Sequence, residues 1–370
     1  MPTRLITHRI LAFIALLLTL MIVLVQPPTT AAQPTAPIAR LELGVRLFDI
    51  AWSPDSQLLA VGATTGVKIY TNTLQEVTEL HGHTDAVTAV AWSPDGQRLA
   101  SGGGYQDGTL HIWNYDAETM VFSEETAMTL GVNYRIAAAA WSPDGTKLAI
   151  LVIIHPTGEY GEMYVWDTAT WQPVYEKHRS FLNPIRALGW NASGTKLVVG
   201  SEQGILVFDI QTGLWLSLTP TEFKPQDAVW YTPDHFAIAM GELILVDGTT
   251  GQVRSLWDFP SYAYRLEADA SGNRILIGSL DDVNIVNPDN GAILKSFKFT
   301  RPLWEFDWNA DATVLATVTD SENSIIEIWD TSHLPDVSGT PTATLLPTLT
   351  PTPTRTPTPS PTPTTAPKTG

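Results

Sequence analysis

Four stretches of the chain carry residue types that do chemistry elsewhere. His81-Gly82-His83 sets two imidazoles one residue apart, a spacing that suits a metal ion. Asp281-Asp282 and Asp320-Ser321-Glu322-Asn323 gather oxygen ligands of the kind a calcium loop uses. Gly200-Ser201-Glu202-Gln203-Gly204 holds a serine near two glycines, as a nucleophile elbow does. Each falls short in sequence. The two histidines have no evident third ligand. The acidic pairs lack the further spaced oxygens of a calcium loop and read as solvated hairpin turns. No helix follows Ser201, and the glycine spacing is wrong for an elbow. Phosphate loops and dinucleotide fingerprints are absent. With no cysteine there is no thiol nucleophile, thiolate metal site or disulfide. The sequence therefore names no catalytic residue, no metal and no cofactor. It leaves open a pair of carboxylates brought together from distant segments, because spacing along the chain does not reveal such a pair.

The chain has 370 residues, 44% of them hydrophobic, which is enough for one large all-β domain. Its net charge is −17. Four cations, Arg4, Arg9, Arg355 and Lys368, lie in ends that hold no acid, so the segment between them carries −21. A surface that acidic repels phosphate backbones, which excludes a nucleic-acid partner and favours basic or polar ones.

The two ends read differently from the middle. Arg4, His8 and Arg9 precede a sixteen-residue apolar run, Ile10 to Val25, and Pro27-Pro28 and Thr29-Thr30-Ala31-Ala32 follow. This is the layout of a secretory signal cleaved between Ala32 and Gln33, or of an uncleaved membrane anchor; either way the rest is exported. We assign 1–32 to the signal or anchor and 33–37 to a short linker. With no cysteine after the signal, a lipid-anchored lipoprotein is excluded. Residues 338–370 are almost only Thr and Pro, a composition that builds no core and reads as a disordered stalk. The end, Ala366-Pro367-Lys368-Thr369-Gly370, resembles a sortase signal but lacks its leading Leu and the apolar stretch after it.

Between these ends the chain repeats. Aligned on the Trp of AWSPDG, anchors fall at Trp52, Trp92, Trp141, Trp190, Trp230, Ala268 and Trp308, giving seven units. Each unit has an alternating apolar run, a turn such as Ser93-Pro94-Asp95-Gly96, a small-residue run such as Leu99-Ala100-Ser101-Gly102, and an apolar run closing on an aromatic and a polar residue, as in YVWD at 164–167. Short alternating runs between turn residues predict antiparallel strands. In the turn, Pro sets φ, Asp bonds to nearby backbone and Gly takes the left-handed conformation. The anchor Trp is expected to pack between neighbouring units.

Over residues 38 to 335 this pattern resembles the WD40 repeat family. The resemblance implies an all-β, seven-bladed β-propeller of four-stranded antiparallel blades, spanning 38–337. The last unit has only three strands, and Ala39-Arg40-Leu41-Glu42-Leu43-Gly44 aligns with the outer strand Val77–Gly82, so the N-terminal strand is expected to complete the last blade. The unit at 85–133 matches best, and in the family its His83, Ser101, Asp107 and Trp113 form a buried hydrogen-bonded tetrad. The first unit departs from it, with Val61, Thr65 and Tyr70 at the Ser, Asp and Trp positions, and Val246 replaces the Trp in a later unit.

In propellers the turns between second and third strands and the links between blades share one face. Here that face is expected to collect Tyr105, Gln106, Tyr134, Arg135, His155, Glu159, Tyr160, Phe181, Tyr262 and Trp304, with Tyr264 nearby. Aromatics with an Arg are what binding hot spots use. The sequence thus reads as an exported, bacterial-type, monomeric platform on the cell surface that binds a protein. The alternative is an enzyme, a hydrolase or lyase, or a glycan-binding propeller with its site at the channel mouth. Acids converging from several blades with raised pKa values would mark the enzyme.

Overall fold

The structure, a computed structural model, describes residues 36–155, 160–175, 181–182, 187–201, 204–217, 225–239, 242–258, 263–269, 271–320 and 322–332. The expected signal, its Ala32–Gln33 cleavage point and the Thr/Pro tail lie outside these residues. The described residues form 29 strands and no helix.

The strands make seven antiparallel sheets in chain order, each a blade. Blade one, for example, is Leu47–Trp52, Leu58–Ala63, Gly66–Thr71 and Glu76–Leu80. First strands of neighbouring blades touch one another and so form the centre of the ring. Blade seven takes its first three strands from Leu303–Trp308, Val314–Thr319 and Ile325–Asp330, and its fourth from Ala39–Glu42. Ala39 pairs with Ile328 and Glu42 with Ile325, so the N-terminal strand closes the last blade. That pairing leaves no inner ladder open at the seam.

Blade three departs from the expected pattern. Its second and third strands, Lys147–Ile154 and Tyr160–Asp167, are eight residues long and pair to their tips, Ile154 with Tyr160. Tyr160, expected in a turn or link, is therefore a strand residue, as are Gly161 and Glu162. Its outer strand comes in two pieces, Pro173–Tyr175 and Phe181–Leu182, both on Tyr160–Asp167.

The core lies between blades. Seven apolar clusters each join the facing sides of two neighbours, for example Leu58, Ile69, Trp92 and Trp113 between blades one and two, and Trp52, Val61, Ile326 and Ile328 across the seam. Strand residues thus serve two clusters, one on each face, and the second strands read as unbroken buried runs such as Leu58–Ala63. The anchor tryptophans sit in these junctions. Trp141 Nε1 donates to Ala91 O at 3.0 Å and Trp190 Nε1 to Ala140 O at 2.9 Å, each reaching back one blade.

The repeated turn now has a physical reason. In Ser93-Pro94-Asp95-Gly96, Ser93 Oγ donates to Asp95 Oδ1 at 2.5 Å and accepts from Arg98 N, while Asp95 accepts from Gln97 N. The same bonds recur at Ser53 and Ser142. Gly96 has φ +68°, and a methyl added there would lie 3.6 Å from Pro54 of the preceding turn; Gly145 faces Pro94 and Gly194 faces Pro143 in the same way. Successive turns therefore stack on one another, glycine against proline. In the first unit Ser56 holds the left-handed conformation, at φ 61°. Gly96→Ala meets only ordinary contact, so its cost is backbone strain of about 1 kcal/mol, and Ser56→Gly relieves part of the same strain. Urea unfolding of the two variants is expected to move in opposite directions; a neutral Gly96→Ala would contradict the left-handed strain assigned to this position.

Candidate functional site

Two polar systems are built into the ring: a closed network in blade two and an arc of charged groups at its centre.

In blade two the structure brings His83, Ser101, Asp107 and Trp113 together. His83 Nδ1 lies 2.5 Å from an Asp107 carboxylate oxygen, and His83 Nε2 lies 2.8 Å from Ser101 Oγ. Trp113 Nε1 donates to Ser101 Oγ at 2.8 Å, and Thr84 adds a bond to Asp107. Pairing of Ser101 with His111 and Leu99 with Trp113 sets this register. Gly82 is needed beside the network, because an added methyl would lie 2.9 Å from the His111 ring and 3.2 Å from Trp113. Burial holds the His83 pKa below the usual imidazole range, so the ring is neutral near pH 7 and bridges Asp107 to Ser101. His83, Asp107 and His111 have ligand-type atoms within 4.8 Å of one another. Both His83 nitrogens already have partners, and His111 Nδ1 faces Glu124 at 3.0 Å. The group acts as a closed network in which each buried polar atom is satisfied. His81 takes no part in it.

Other blades keep fragments. In blade seven Trp329 Nε1 donates to Thr317 Oγ1 at 3.0 Å, the Ser–Trp half of the arrangement. Blade six replaces it with a buried set not evident from the sequence: Ser279 and Asn284 donate to Asp282, and Ser296 donates to Asn284. Blade one has Val61 where blade two has Ser101.

Residues 74–114 match the family described as WD domain, G-beta repeat. That segment is similar to a WD40 repeat. It runs from the outer strand of blade one, Glu76–Leu80, through Val87–Trp92 and Arg98–Gly103 into the third strand of blade two, and it holds the network of the one unit in which all four polar positions are filled. No curated protein matches the chain. The ring is a propeller of seven blades around this WD40 repeat, and its other blades keep the geometry while filling the polar positions differently.

The second system lies on the innermost strands. Three residues before each anchor stand Asp49, Ala89, Ala138, Ala187, Asp227, Arg265 and Glu305. Blades two to four have alanine there; blades five, six, seven and one have charges. One residue before the anchor, blades six and seven add Glu267 and Asp307. Arg265 Nη2 meets Glu305 Oε1 at 2.6 Å, and Asp49, Asp227 and Glu267 act on the same guanidinium. Asp307 feels it as well. Five acids from four consecutive blades thus converge on one arginine.

Most of these acids also clip their blade to another backbone. Asp49 accepts from Val90 N at 2.8 Å, Asp227 from Leu266 N at 2.8 Å, Glu267 from Trp308 N at 2.9 Å, and Asp307 from Trp52 N at 2.5 Å. The other junctions are clipped by Thr88 donating to Ile136 O at 2.6 Å, by Trp190 to Ala140 O, and by Asn191 to Pro233 O at 3.2 Å. Every junction in the ring has such a bond. Burial pushes the Asp49 carboxyl up to about 6 and pushes Glu305 up against the pull of Arg265. Burial and the neighbouring Asp307 hold Glu267 well above the carboxylate range, and Glu267 and Asp307 hydrogen-bond to each other. Two carboxyl groups in contact require one proton between them, with Glu267 as donor and Asp307 as acceptor.

The residues expected on the binding face separate into two patches. Tyr105 and His155 rings lie 5.3 Å apart, and Asn133, between blades two and three, bonds to both backbones, with Val132 exposed beside it and Gln106 exposed nearby. Tyr134 and Arg135 begin the innermost strand of blade three, half-buried, and Arg135 Nε has no hydrogen-bond partner among the described residues. The second patch is Trp304, 50% exposed, with Leu280, 66% exposed; Leu303 N donates to Leu280 O. Trp304 is the extra residue of a β-bulge between Leu303 and Glu305. Bulges recur at Phe48, Thr88 and Ala137, and a bulge turns a side chain out of the pleat. Tyr264 OH donates to Leu303 O at 2.5 Å and supports the strand. Phe181 sits in the short outer strand of blade three, and not on a link between blades. Glu159 and Tyr262 lie outside the described residues, as do the side chains of Tyr160 and Phe181.

A carboxyl raised in the folded state contributes stability that is complete below its ordinary pKa, near 4.5 for Glu267, and is lost as pH rises through the folded value. His83, lowered in the folded state, acts oppositely, losing stability as pH falls through about 6.5. Glu267→Gln keeps an acceptor for Trp308 N and a donor for Asp307 but does not titrate. The wild-type protein is expected to lose stability from pH 5 to pH 8.5 relative to Glu267→Gln, by about 1.4 kcal/mol for each tenfold difference in proton affinity between the folded and unfolded chains. His83 is common to both proteins and cancels in the comparison. Equal pH dependence in urea unfolding would show that no proton is shared.

Proposed function

We propose that the chain is an exported, non-catalytic platform that holds a protein partner against the face carrying Trp304 and Leu280, with Tyr105 and His155 extending the contact. The observation that carries this reading is Trp304. Its strand neighbours Leu303 and Glu305 are buried, yet the indole stands half exposed beside an exposed leucine. Exposed aromatic surface on a rigid scaffold is what binding hot spots use. WD40 propellers generally bind proteins. The charge of −17 favours a partner with a basic rim. The basic start and apolar run of residues 1–32 support export.

The five converging acids favour a second reading, an enzyme with its site at the channel. Against it, both oxygens of Asp49 and both of Asp227 already accept backbone N–H groups. A general base must present a free oxygen to its substrate, and these acids are occupied in joining blades.

The test is capture from an envelope and exported-protein extract by the chain beginning at residue 33, beside Trp304→Ala and Tyr105→Ala variants checked for folding. The expected result is one protein held in stoichiometric amount and bound at least about thirtyfold more weakly by Trp304→Ala, the loss of a hot-spot residue. If no protein is held, the platform reading fails. Hydrolysis of a glycan or peptide library, abolished by Glu305→Gln, would establish the enzyme instead.

A further inference from the structure

Blades six and seven do not close fully at their outer edge. Between them lies a cleft of about 360 Å³. One wall is the end of the blade-six outer strand, Lys298 to Arg301; the other is the blade-seven sheet together with Arg40 of the closing strand. We propose that this cleft is a binding site for a small organic anion, an oxyanion head carried on an apolar body. The inference goes beyond the platform reading and does not depend on it.

Charge is the first argument. In a chain of net charge −17, three cations from two distant segments line one cleft: Arg40, Lys298 and Arg301. Arg40 is oriented by Glu42 at 2.8 Å and Arg301 by Asp320 at 2.6 Å. Neither acid lines the cleft, so each fixes its guanidinium and leaves other N–H donors available; an arginine offers five. Lys298 is exposed and makes no ion pair among the described residues. The lining holds one acid, Glu327, with Arg40 Nε 3.8 Å away. Burial pushes the Glu327 carboxyl up, and Arg40 and Arg301 pull it back down, so its charge is partly offset within the cleft.

The floor is the second argument. Phe299 and Trp329 meet edge to face, with ring centres 5.7 Å apart. The Trp329 N–H is spent on Thr317 and the indole is buried, so only its edge, beside the half-buried Phe299 ring, offers the cleft apolar surface. A purely inorganic ion would leave that surface uncovered, whereas a ring-sized body would cover it. Thr300 supplies a hydroxyl at the rim.

The experiment titrates the full chain with phenyl phosphate, benzoate and inorganic phosphate, following the Trp329 indole and Thr319 amide by NMR at pH 5.5 and 8. Phenyl phosphate is expected to shift both signals and to bind at least about fivefold tighter than inorganic phosphate at both pH values. Lys298→Gln with Arg301→Gln should weaken it about tenfold, or 1.4 kcal/mol. Lys298→Gln alone changes an exposed, unpaired residue and keeps the test readable if the double variant unfolds. No shift at either signal at about 10 mM ligand, or shifts unchanged in the Lys298→Gln protein, would overturn the proposal. Inorganic phosphate binding as tightly as phenyl phosphate would overturn the role of the apolar floor.

Discussion

A ring of sheets is stable only if every blade has a neighbour on both sides, and here that depends on writing one blade in two pieces. Ala39–Glu42 pairs with Ile325–Asp330 across almost the whole chain. The cluster between blades seven and one then forms like the other six, with Leu41 and Ala39 packed against Ile326 and Ile328. The seam is reinforced at the centre, where Asp307 takes both the backbone N–H and, through its carbonyl, the indole N–H of Trp52. Without that junction two sheet faces would lie open to water, and the innermost strands would lose the bonds that position Trp304 and the charged arc.

The interior chemistry follows from the same constraint. Narrow inner strands bring backbone N–H groups of one blade against side chains of another, and an unmet buried N–H is costly. Most of the acids near the centre answer that need. The raised pKa values of Asp49, Glu267 and Asp307 come from burial, and each of these carboxyls also accepts a backbone N–H of the next blade. His83, Asp107 and His111 also lie close together. Their proximity looks like a metal site, but the two His83 nitrogens are bonded to Asp107 and Ser101, Asp107 also accepts from Thr84, and His111 Nδ1 faces Glu124.

Much of this is legible in the residues. The recurrence of the anchor and the turn after it marks seven units, and in the first four the turns stack glycine against proline. The missing last strand and the spare Ala39–Glu42 segment point to each other. The tetrad can be read in blade two, the single unit with all four residues present. The charged arc is not visible in any one repeat. Its signal is one position in each unit, three residues before the anchor, and it emerges only when Asp49, Asp227, Arg265 and Glu305 are compared as a column. The blade-six set around Asp282 is hidden for another reason: Ser279, Asn284 and Ser296 are spread along the segment, and only strand pairing brings them together. Tyr160 and Phe181 look like loop residues in sequence because blade three lengthens its central hairpin, and length is set by pairing with partners that spacing does not show.

The N-terminal strand is a full member of the ring. Native-state hydrogen exchange at the Leu43 amide, which donates to Ser324 O, tests it most directly. If the strand closes the ring, this amide exchanges as slowly as inner-strand amides such as Val90 and Leu266, and all three speed up together as urea approaches the unfolding midpoint. Exchange at Leu43 orders of magnitude faster than at those two, and insensitive to urea, would mean that the strand frays alone and the ring stands without it.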